Sequence, residues 1–167
     1  MYYVIALRYD PATEKKLEEA RALIGSVLPF KPHVTLVACE DMDVTAALPA
    51  LQKIFSKRQP REIQLSYRGI FFSQGLEKLV LYAGVTADQE LLKLQEEVYD
   101  VAAKYGTFDT DFIKPGVAVF HTTLSMSIGV DKIEAAMRKL EGRVPTLGRS
   151  EYATITEDGK EIVRFDF

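Results

Sequence analysis

The tetrapeptide His-x-Thr-Leu occurs twice in this sequence, once in each half of the chain. The copies are His33 to Leu36 and His121 to Leu124, and they contain the only two histidines among the 167 residues. A chance repetition at both histidines is on the order of 1 in 20,000, before allowance for choosing the motif afterwards. The repeat therefore indicates two related halves, each built around one copy.

Each copy lies in an apolar segment that is typical of a β-strand, residues 31–39 and 117–128. Because strand side chains alternate between the two faces of a sheet, His33 shares a face with Thr35, and His121 shares a face with Thr123. Phe120 alternates with His121, so we expect it to point away. Each strand is predicted to bury one face in a core and to present an imidazole beside a hydroxyl on the other.

The remaining segments alternate between strand and helix patterns in an order that partly repeats. Apolar periodicity predicts helices at 11–28, 44–57, 88–105 and 132–140, strands at 2–9, 62–72 and 78–86, and a closing strand pair around Asp158-Gly159. This order predicts an α+β fold, in which two antiparallel-rich sheets line a central cleft and the helices lie outside. We expect one bilobal, pseudo-two-fold domain over residues 1–167.

Local signals refine the helix boundaries. Pro29 is predicted to end the first helix, which places Val27 on its inward face. Pro49 predicts a late start or a kink in the second helix. Asp131 with Glu134 has the spacing of a capping box for the last helix.

Composition narrows the class of protein. Apolar residues make up 47% and charged residues 27%, and the net charge is −3, which argues against a general nucleic-acid coat that needs a basic excess. Cys39 is the only cysteine, so no disulfide framework is expected within one chain.

The first residues lack a signal-peptide pattern, and no run approaches ~18 apolar residues. We predict a cytoplasmic monomer with no membrane partner.

Two histidines and two threonines at one cleft would supply a specific chemistry. Imidazole has an ordinary pKa near ~6.5, so one ring can act as a base while the other, protonated, acts as an acid. The hydroxyls and the imidazolium can bind phosphate oxygens. This set predicts metal-free phosphoryl transfer.

Other interpretations of the histidines are weaker. A single histidine on an apolar strand is usually a core residue, but the repeated pattern argues against that here. A zinc site needs three or four ligands, and the motifs supply two. A serine or cysteine hydrolase would need a nucleophile elbow, which the sequence lacks. We therefore expect neither a metal nor a cofactor.

The motifs resemble those of the 2H phosphoesterase superfamily, the 2′-5′ RNA ligase and cyclic phosphodiesterase group. FKPHVTL is similar to the first motif of that family, and KYG followed by IKPGVAVFHTTL is similar to the second. YRGIFF is similar to its central hairpin. The resemblance implies catalytic roles for His33, Thr35, His121 and Thr123.

The resemblance also implies a substrate class. Members act without a metal on 2′,3′-cyclic phosphates or 2′-5′ phosphodiester linkages, so the expected partner is a nucleotide or an RNA end, with the reverse 2′-5′ ligation also open. The residues after HTTL are Ser125 and Met126, where RNA-ligase-like members carry Arg, which favours a phosphoesterase. A non-catalytic binder of a phosphorylated nucleotide or RNA end, and a phosphoesterase for another small cyclic phosphate, remain alternatives.

Further substrate contacts are predicted from strand position. Ser125 is predicted to lie on the same strand face as His121 and Thr123, so we expect it to contact the substrate. We also expect Tyr3, Arg68 and Phe72 to contact the substrate. Other aromatic residues lie on or near strands that could border the cleft, where rings can stack on bases, although core packing is favoured for each and Phe120 is expected to point away: Tyr9, Tyr67, Phe71 and Phe120. Other basic residues could meet phosphates: Arg8, Lys31, Lys114 and Arg149.

Overall fold

The computed structural model describes residues 1–73, 78–108 and 114–167. Its strands are β1 (Tyr2–Tyr9), β2 (His33–Glu40), β3 (Arg61–Ser73), β4 (Lys78–Val85), β5 (His121–Ile128), β6 (Leu147–Glu157) and β7 (Lys160–Asp166). Its helices are α1 (Pro11–Leu23), α2 (Val44–Phe55), α3 (Gln89–Tyr105) and α4 (Ile133–Leu140), with a 3₁₀ turn at Val130–Lys132 before α4. The predicted α+β class is confirmed.

All strand pairs in the described residues are antiparallel, and they follow one hydrogen-bonded path in the order β2-β1-β6-β3-β4-β5, with β7 added to β6. The long strand β3 joins the two halves, because residues 61–64 pair with β6 and residues 65–73 pair with β4. The two predicted sheets are therefore connected through β3. Their outer edge strands are β2 and β5, the strands that carry the two motifs.

The helices cover the faces that carry the aliphatic residues of the motifs. α2 and α3 pack on each other beside β2, whereas α1 and α4 pack on each other beside β5. Val34 and Leu36 of one motif and Leu124 of the other are completely buried. The opposite faces of β2 and β5 are left for the histidines, as the alternation predicts.

The predicted end of the first helix and the predicted capping box of the last helix are both wrong. α1 ends at Leu23 and not at Pro29, since Gly25 adopts a positive φ of 69° that stops the helix, and Val27 is 94% exposed. The 3₁₀ turn precedes α4, so Lys132 stands at the N-cap with no side-chain hydrogen bond and the capping box does not form.

The second helix starts where the sequence places it. Asp43 caps α2 by accepting a hydrogen bond from the Ala46 amide, and the helix runs through Pro49 from Val44. The late start predicted from Pro49 is therefore wrong.

Both predicted hairpins are present. β3 pairs with β4, although residues 74–77 of the predicted turn lie outside the described residues. Asp158 and Gly159 connect β6 to β7 with positive φ angles of 46° and 83°, as a tight turn of this type requires. In the described part of the chain, no helix is long and apolar enough to cross a membrane.

Candidate active site

The two motif strands meet edge to edge through one buried side chain. The Thr122 hydroxyl donates a hydrogen bond to the backbone carbonyl of His33 at 3.1 Å. The Tyr9 hydroxyl lies 2.7 Å from the same Thr122 oxygen and acts as the donor, since the single Thr122 proton is already used. The two strands contact each other here, and His121 is close enough to act electrostatically on His33. We call the region of His33, Thr35, His121 and Thr123 the histidine cleft.

Both imidazoles are held in the same way. Nδ1 of His33 lies 2.9 Å from the carbonyl oxygen of Lys31, and Nδ1 of His121 lies 2.8 Å from that of Val119. A carbonyl only accepts, so Nδ1 carries the proton in both rings. Nε2 is therefore the nitrogen that can take up or release a proton toward a ligand.

The two threonines lie one alternation step beyond the histidines on the same strand faces. Thr35 pairs with Ala6 of β1, and Thr123 pairs with Tyr82 of β4. Both threonines and both histidines are half-buried, which leaves part of each side chain accessible. Each half of the cleft thus presents one imidazole and one hydroxyl.

Positive charge surrounds His33. Its pKa is lowered to about 4, mainly by burial, with smaller contributions from the charges of Arg8, Arg21 and His121. The carbonyl of Lys31 opposes this shift. His33 is consequently neutral at physiological pH and its Nε2 is free to accept a proton.

His121 contacts two aromatic rings, whereas His33 contacts the Phe30 ring, with centroids 5.3 Å apart. The ring centroids of Tyr82 and Phe71 lie 5.2 and 5.4 Å from that of His121. Burial lowers the pKa of His121, and the Val119 carbonyl partly offsets the shift. Among the described residues no cation is a principal cause of this shift, whereas Arg8 and Arg21 both contribute to the large shift of His33.

Two glycines make the aromatic half possible. A Cβ on Gly84, which stands opposite His121 in the ladder, would lie 2.3 Å from the Tyr67 ring, and one on Gly69 would lie 2.5 Å from the Tyr82 ring. Both rings therefore lie flat against bare backbone. Tyr67 and Tyr82 then pack edge to face, with centroids 6.0 Å apart.

A comparison of the sequence with models of protein families shows which family the chain belongs to. The model of the 2′-5′ RNA ligase superfamily matches residues 9–154, which include both motifs. The chain belongs to the 2′-5′ RNA ligase superfamily. No curated protein sequence matches it.

Solved structures share the fold of this superfamily member at low sequence identity. E. coli LigT complexed with 3′-AMP is 14% identical, with a TM-score of 0.61 and coverage of 99% of this chain and 97% of that one. Kluyveromyces marxianus Usb1 is 11% identical, with a TM-score of 0.58 and coverage of 99% and 98%. TT0787 of Thermus thermophilus is 17% identical, with a TM-score of 0.61 and coverage of 99% and 97%.

In this member of the superfamily, sequence reasoning missed the buried Arg21. Its Nε and one terminal nitrogen donate to the carbonyl of Thr123 at 3.1 and 2.8 Å, and the other donates to the carbonyl of Phe30 at 2.8 Å. The guanidinium thus ties α1 to the strand of the second motif and to the residues before the first. Arg21 stands four residues after Leu17 and three before Ile24, so helical spacing places it on the apolar face of α1, and this spacing is the signal that could have found it.

The structure places the other predicted substrate residues outside the histidine cleft. Tyr3 is buried at the far end of β1, where its hydroxyl donates to Glu157. Arg68 pairs with Ala83 on the buried face and donates to the carbonyl of Leu140. Phe72 alternates with Phe71, the residue whose ring contacts His121, and points the other way.

Ser125 is displaced by a bulge. Between Thr123 and Ser125 the register with β4 shifts, so that Ser125 stands opposite the buried Leu81 and not on the face of Tyr82. Ser125 lines a groove of about 680 Å³ between the end of α1 and α4. In the described residues no cluster of three or more His, Cys, Asp and Glu side chains forms a metal site.

Proposed function

We propose that this protein is a metal-independent phosphodiesterase that hydrolyses 2′,3′-cyclic phosphate or 2′-5′ phosphodiester linkages of nucleotides or RNA ends. The observation that carries the proposal is the matched pair of imidazoles, each with Nδ1 fixed by a backbone carbonyl and Nε2 left for the ligand. Family membership supports an enzyme of this kind. The solved neighbours include complexes of LigT with 3′-AMP and of Usb1 with uridine monophosphate.

The charges around the two rings assign their roles in the proposed reaction. His33, whose pKa is lowered by burial and two arginines, is the general base: its Nε2 takes a proton from water as the water oxygen bonds to phosphorus. His121, protonated when the phosphate anion binds, is the general acid: it gives its Nε2 proton to the ribose oxygen as the phosphorus–oxygen bond breaks. The product is a phosphate monoester and a free ribose hydroxyl.

The threonines bind the phosphate in this scheme. Thr35 and Thr123 lie beside the two imidazoles, where their hydroxyls can donate to the non-bridging oxygens on which charge builds up in the transition state. The aromatic half of the cleft, Tyr67, Phe71 and Tyr82, offers ring faces for the base of the nucleotide. The same groups would run the reverse ligation if a ribose hydroxyl replaced water.

The test is hydrolysis of 2′,3′-cyclic nucleotides and of a 2′-5′-linked dinucleotide in excess EDTA. Wild type is expected to release the monoester, and His33→Ala and His121→Ala are each expected to lose about 10²–10⁴ in kcat. Arg138→Gln, an exposed change on α4, is the control for handling and folding. An inactive wild type that binds nucleotide would favour the non-catalytic binder, and turnover of other cyclic esters alone would favour a different phosphoester substrate.

A further inference from the structure

The two flanks of the histidine cleft differ in charge. Opposite His33, across the β1–β2 ladder, stands Arg8. At the matching place opposite His121, across the β4–β5 ladder, stands Gly84, covered by the Tyr67 ring. The cleft therefore has a cationic flank beyond one histidine and an aromatic flank beyond the other.

Arg8 stands on the strand next to the central phosphate site and not on the two strands that carry the histidines. Paired residues of neighbouring antiparallel strands have Cα atoms about 4.5–5.5 Å apart and share a face. β1 lies on the side of β2 that is away from β5, so the order along this face is Arg8, His33, His121, Gly84. A phosphate between the imidazoles would have Arg8 one strand further along.

Arg8 is a buried cation that forms no ion pair with any of the described residues. Its side chain is only 6% exposed, and its Nε has no hydrogen-bond partner among the described residues. One strand further, on β6, the completely buried Thr154 stands opposite Ala6 on the same face, and its hydroxyl also lacks a partner there. Burying such groups costs free energy unless a partner arrives.

Neighbouring carboxylates do not supply that partner. Glu14 binds Lys31 at 2.7 Å, and Asp166 binds Arg164 at 2.6 Å. The Arg164 guanidinium lies 3.8 Å from the centroid of Tyr152, the residue that flanks Arg8 on β6. The positive charges of Arg8 and Arg21 both act on His33, so this flank has an excess of positive charge.

We propose that Arg8, with the Thr154 hydroxyl, forms a subsite for a second phosphoryl group, one carried on the ribose 5′ oxygen of the substrate. This inference rests on the proposed function, and it narrows the substrate class to nucleotides with a 5′-phosphate or to RNA ends whose preceding phosphodiester occupies the subsite. The scissile phosphate stays between the histidines. A guanidinium binds phosphate through charge-assisted hydrogen bonds, which suits this role.

The experiment compares three substrates: a nucleoside 2′,3′-cyclic phosphate, the same compound with a 5′-phosphate, and a dinucleotide that ends in a 2′,3′-cyclic phosphate. Wild type is expected to prefer each compound with a second phosphate by about 10-fold or more in kcat/KM. A preference for the 5′-phosphate alone points to nucleotides, and a preference for the dinucleotide alone points to RNA ends. Either result supports the subsite.

Arg8→Gln is expected to reduce the preference to below about 3-fold, while Arg8→Lys keeps part of it and Arg138→Gln keeps all of it. Thr154→Val, which retains the shape of the side chain, is expected to reduce the preference without unfolding the protein. Equal losses on all three substrates would overturn the subsite, since Arg8 would then serve the scissile phosphate or the fold. A wild type with no preference would overturn it as well.

Measurements of ligand binding can test the Arg8 subsite even if the proposed hydrolysis is not observed. If wild type hydrolyses none of the three compounds, titration calorimetry with a nucleoside 3′-phosphate and a nucleoside 3′,5′-bisphosphate decides the matter. Tighter binding of the bisphosphate that Arg8→Gln abolishes would keep the subsite in a protein that does not catalyse. Equal binding of both, or no binding, would overturn the subsite too.

Discussion

His33 and His121 have the same backbone anchor but different neighbours. Each Nδ1 donates to the carbonyl two residues earlier. Arg8 from β1, Arg21 from α1 and His121 from β5 all act on His33, whereas the rings of Phe71 and Tyr82 surround His121. In the proposed mechanism, this difference in surroundings, and not the motif itself, is the reason for assigning His33 as the proton acceptor and His121 as the proton donor.

The pH dependence of the proposed reaction follows from these pKa shifts. The rate requires neutral His33, so it falls as the pH drops toward the His33 pKa of about 4, and it requires charged His121, so it falls as the pH rises through a pKa below 6.5. We expect a bell-shaped profile of kcat/KM with its maximum below pH 6.5. A rate that rises steadily from pH 5 to pH 9 would contradict two-imidazole catalysis.

Arg21 is a second residue whose surroundings define its role. The residue is only 5% exposed, and burial lowers its pKa to about 10, so it is still charged at neutral pH. We expect Arg21→Leu to lower the free energy of unfolding by about 2–4 kcal/mol, because three charged hydrogen bonds are lost and two partly buried carbonyls lose their donor. Urea titration measures the change.

The matched control for this prediction is Lys16→Leu on the same helix. Lys16 is exposed, so its replacement is expected to change stability by less than about 0.5 kcal/mol. If the two variants lose the same amount, the Arg21 hydrogen bonds do not stabilise the junction between α1 and β5.

At the scale of the elements, the hairpin of β3 and β4 supplies the aromatic flank. Gly84 leaves the space that the Tyr67 ring fills. We expect Gly84→Ala to lower stability by about 1–3 kcal/mol and to raise KM for a cyclic nucleotide, because the new methyl must displace the ring. Thermal or urea unfolding together with steady-state kinetics measures both effects.

A double-mutant cycle tests the cause. Tyr67→Ala removes the ring, so adding Gly84→Ala to that variant is expected to cost much less than it does in wild type. A cost that is the same in both backgrounds would place the strain in the β4 backbone and not in the ring contact.

The elements also show how far the sequence alone can lead. Alternation along a strand correctly places His33 with Thr35 and His121 with Thr123 on one face, since each pair is only two residues apart. It fails at Ser125, because the bulge before this residue depends on the pairing with β4. An element is predictable from its own residues, but a bulge belongs to two strands.

The same limit applies to the hairpin and the first helix. Choosing between Phe71 and Phe72 requires the phase of β3 relative to the cleft, which depends on its register with β4 and not on its composition. Helical spacing can place Arg21 on the buried face of α1, but its partner, the Thr123 carbonyl of β5, depends on a contact between segments far apart in the chain. The sequence predicted the fold class and the two motifs, while most substrate contacts needed the tertiary structure.

At the scale of the whole molecule, the two halves meet at a junction that contains most of the buried charge. β3 joins them through the sheet, and Thr122 and Arg21 join them at the motif strands. Arg8 and His33 lie at the same junction. Folding therefore brings positive groups together at the place where the proposed anionic substrate binds.

This junction makes the stability of the protein sensitive to acid. His33 has a pKa of about 4 in the folded state and near ~6.5 when unfolded, so below pH 6.5 the unfolded chain binds more protons. Stability is fully present above pH 6.5 and is lost as the pH falls toward 4. His121 acts in the same direction, whereas the carboxyl of Asp88, whose pKa is lowered from 3.8, contributes only at lower pH.

We expect the free energy of unfolding to fall by about 1–2 kcal/mol between pH 7 and pH 5 because of His33. His33→Gln cannot take up that proton, so its loss over the same range is expected to be smaller by this amount. Urea titrations of wild type and His33→Gln at pH 7 and pH 5 measure the difference, and His121→Gln serves as the partner variant with a smaller effect. Parallel pH dependence in wild type and His33→Gln would mean that the His33 ring is solvated well enough to keep its ordinary pKa, and the reason for assigning it as the base would be lost.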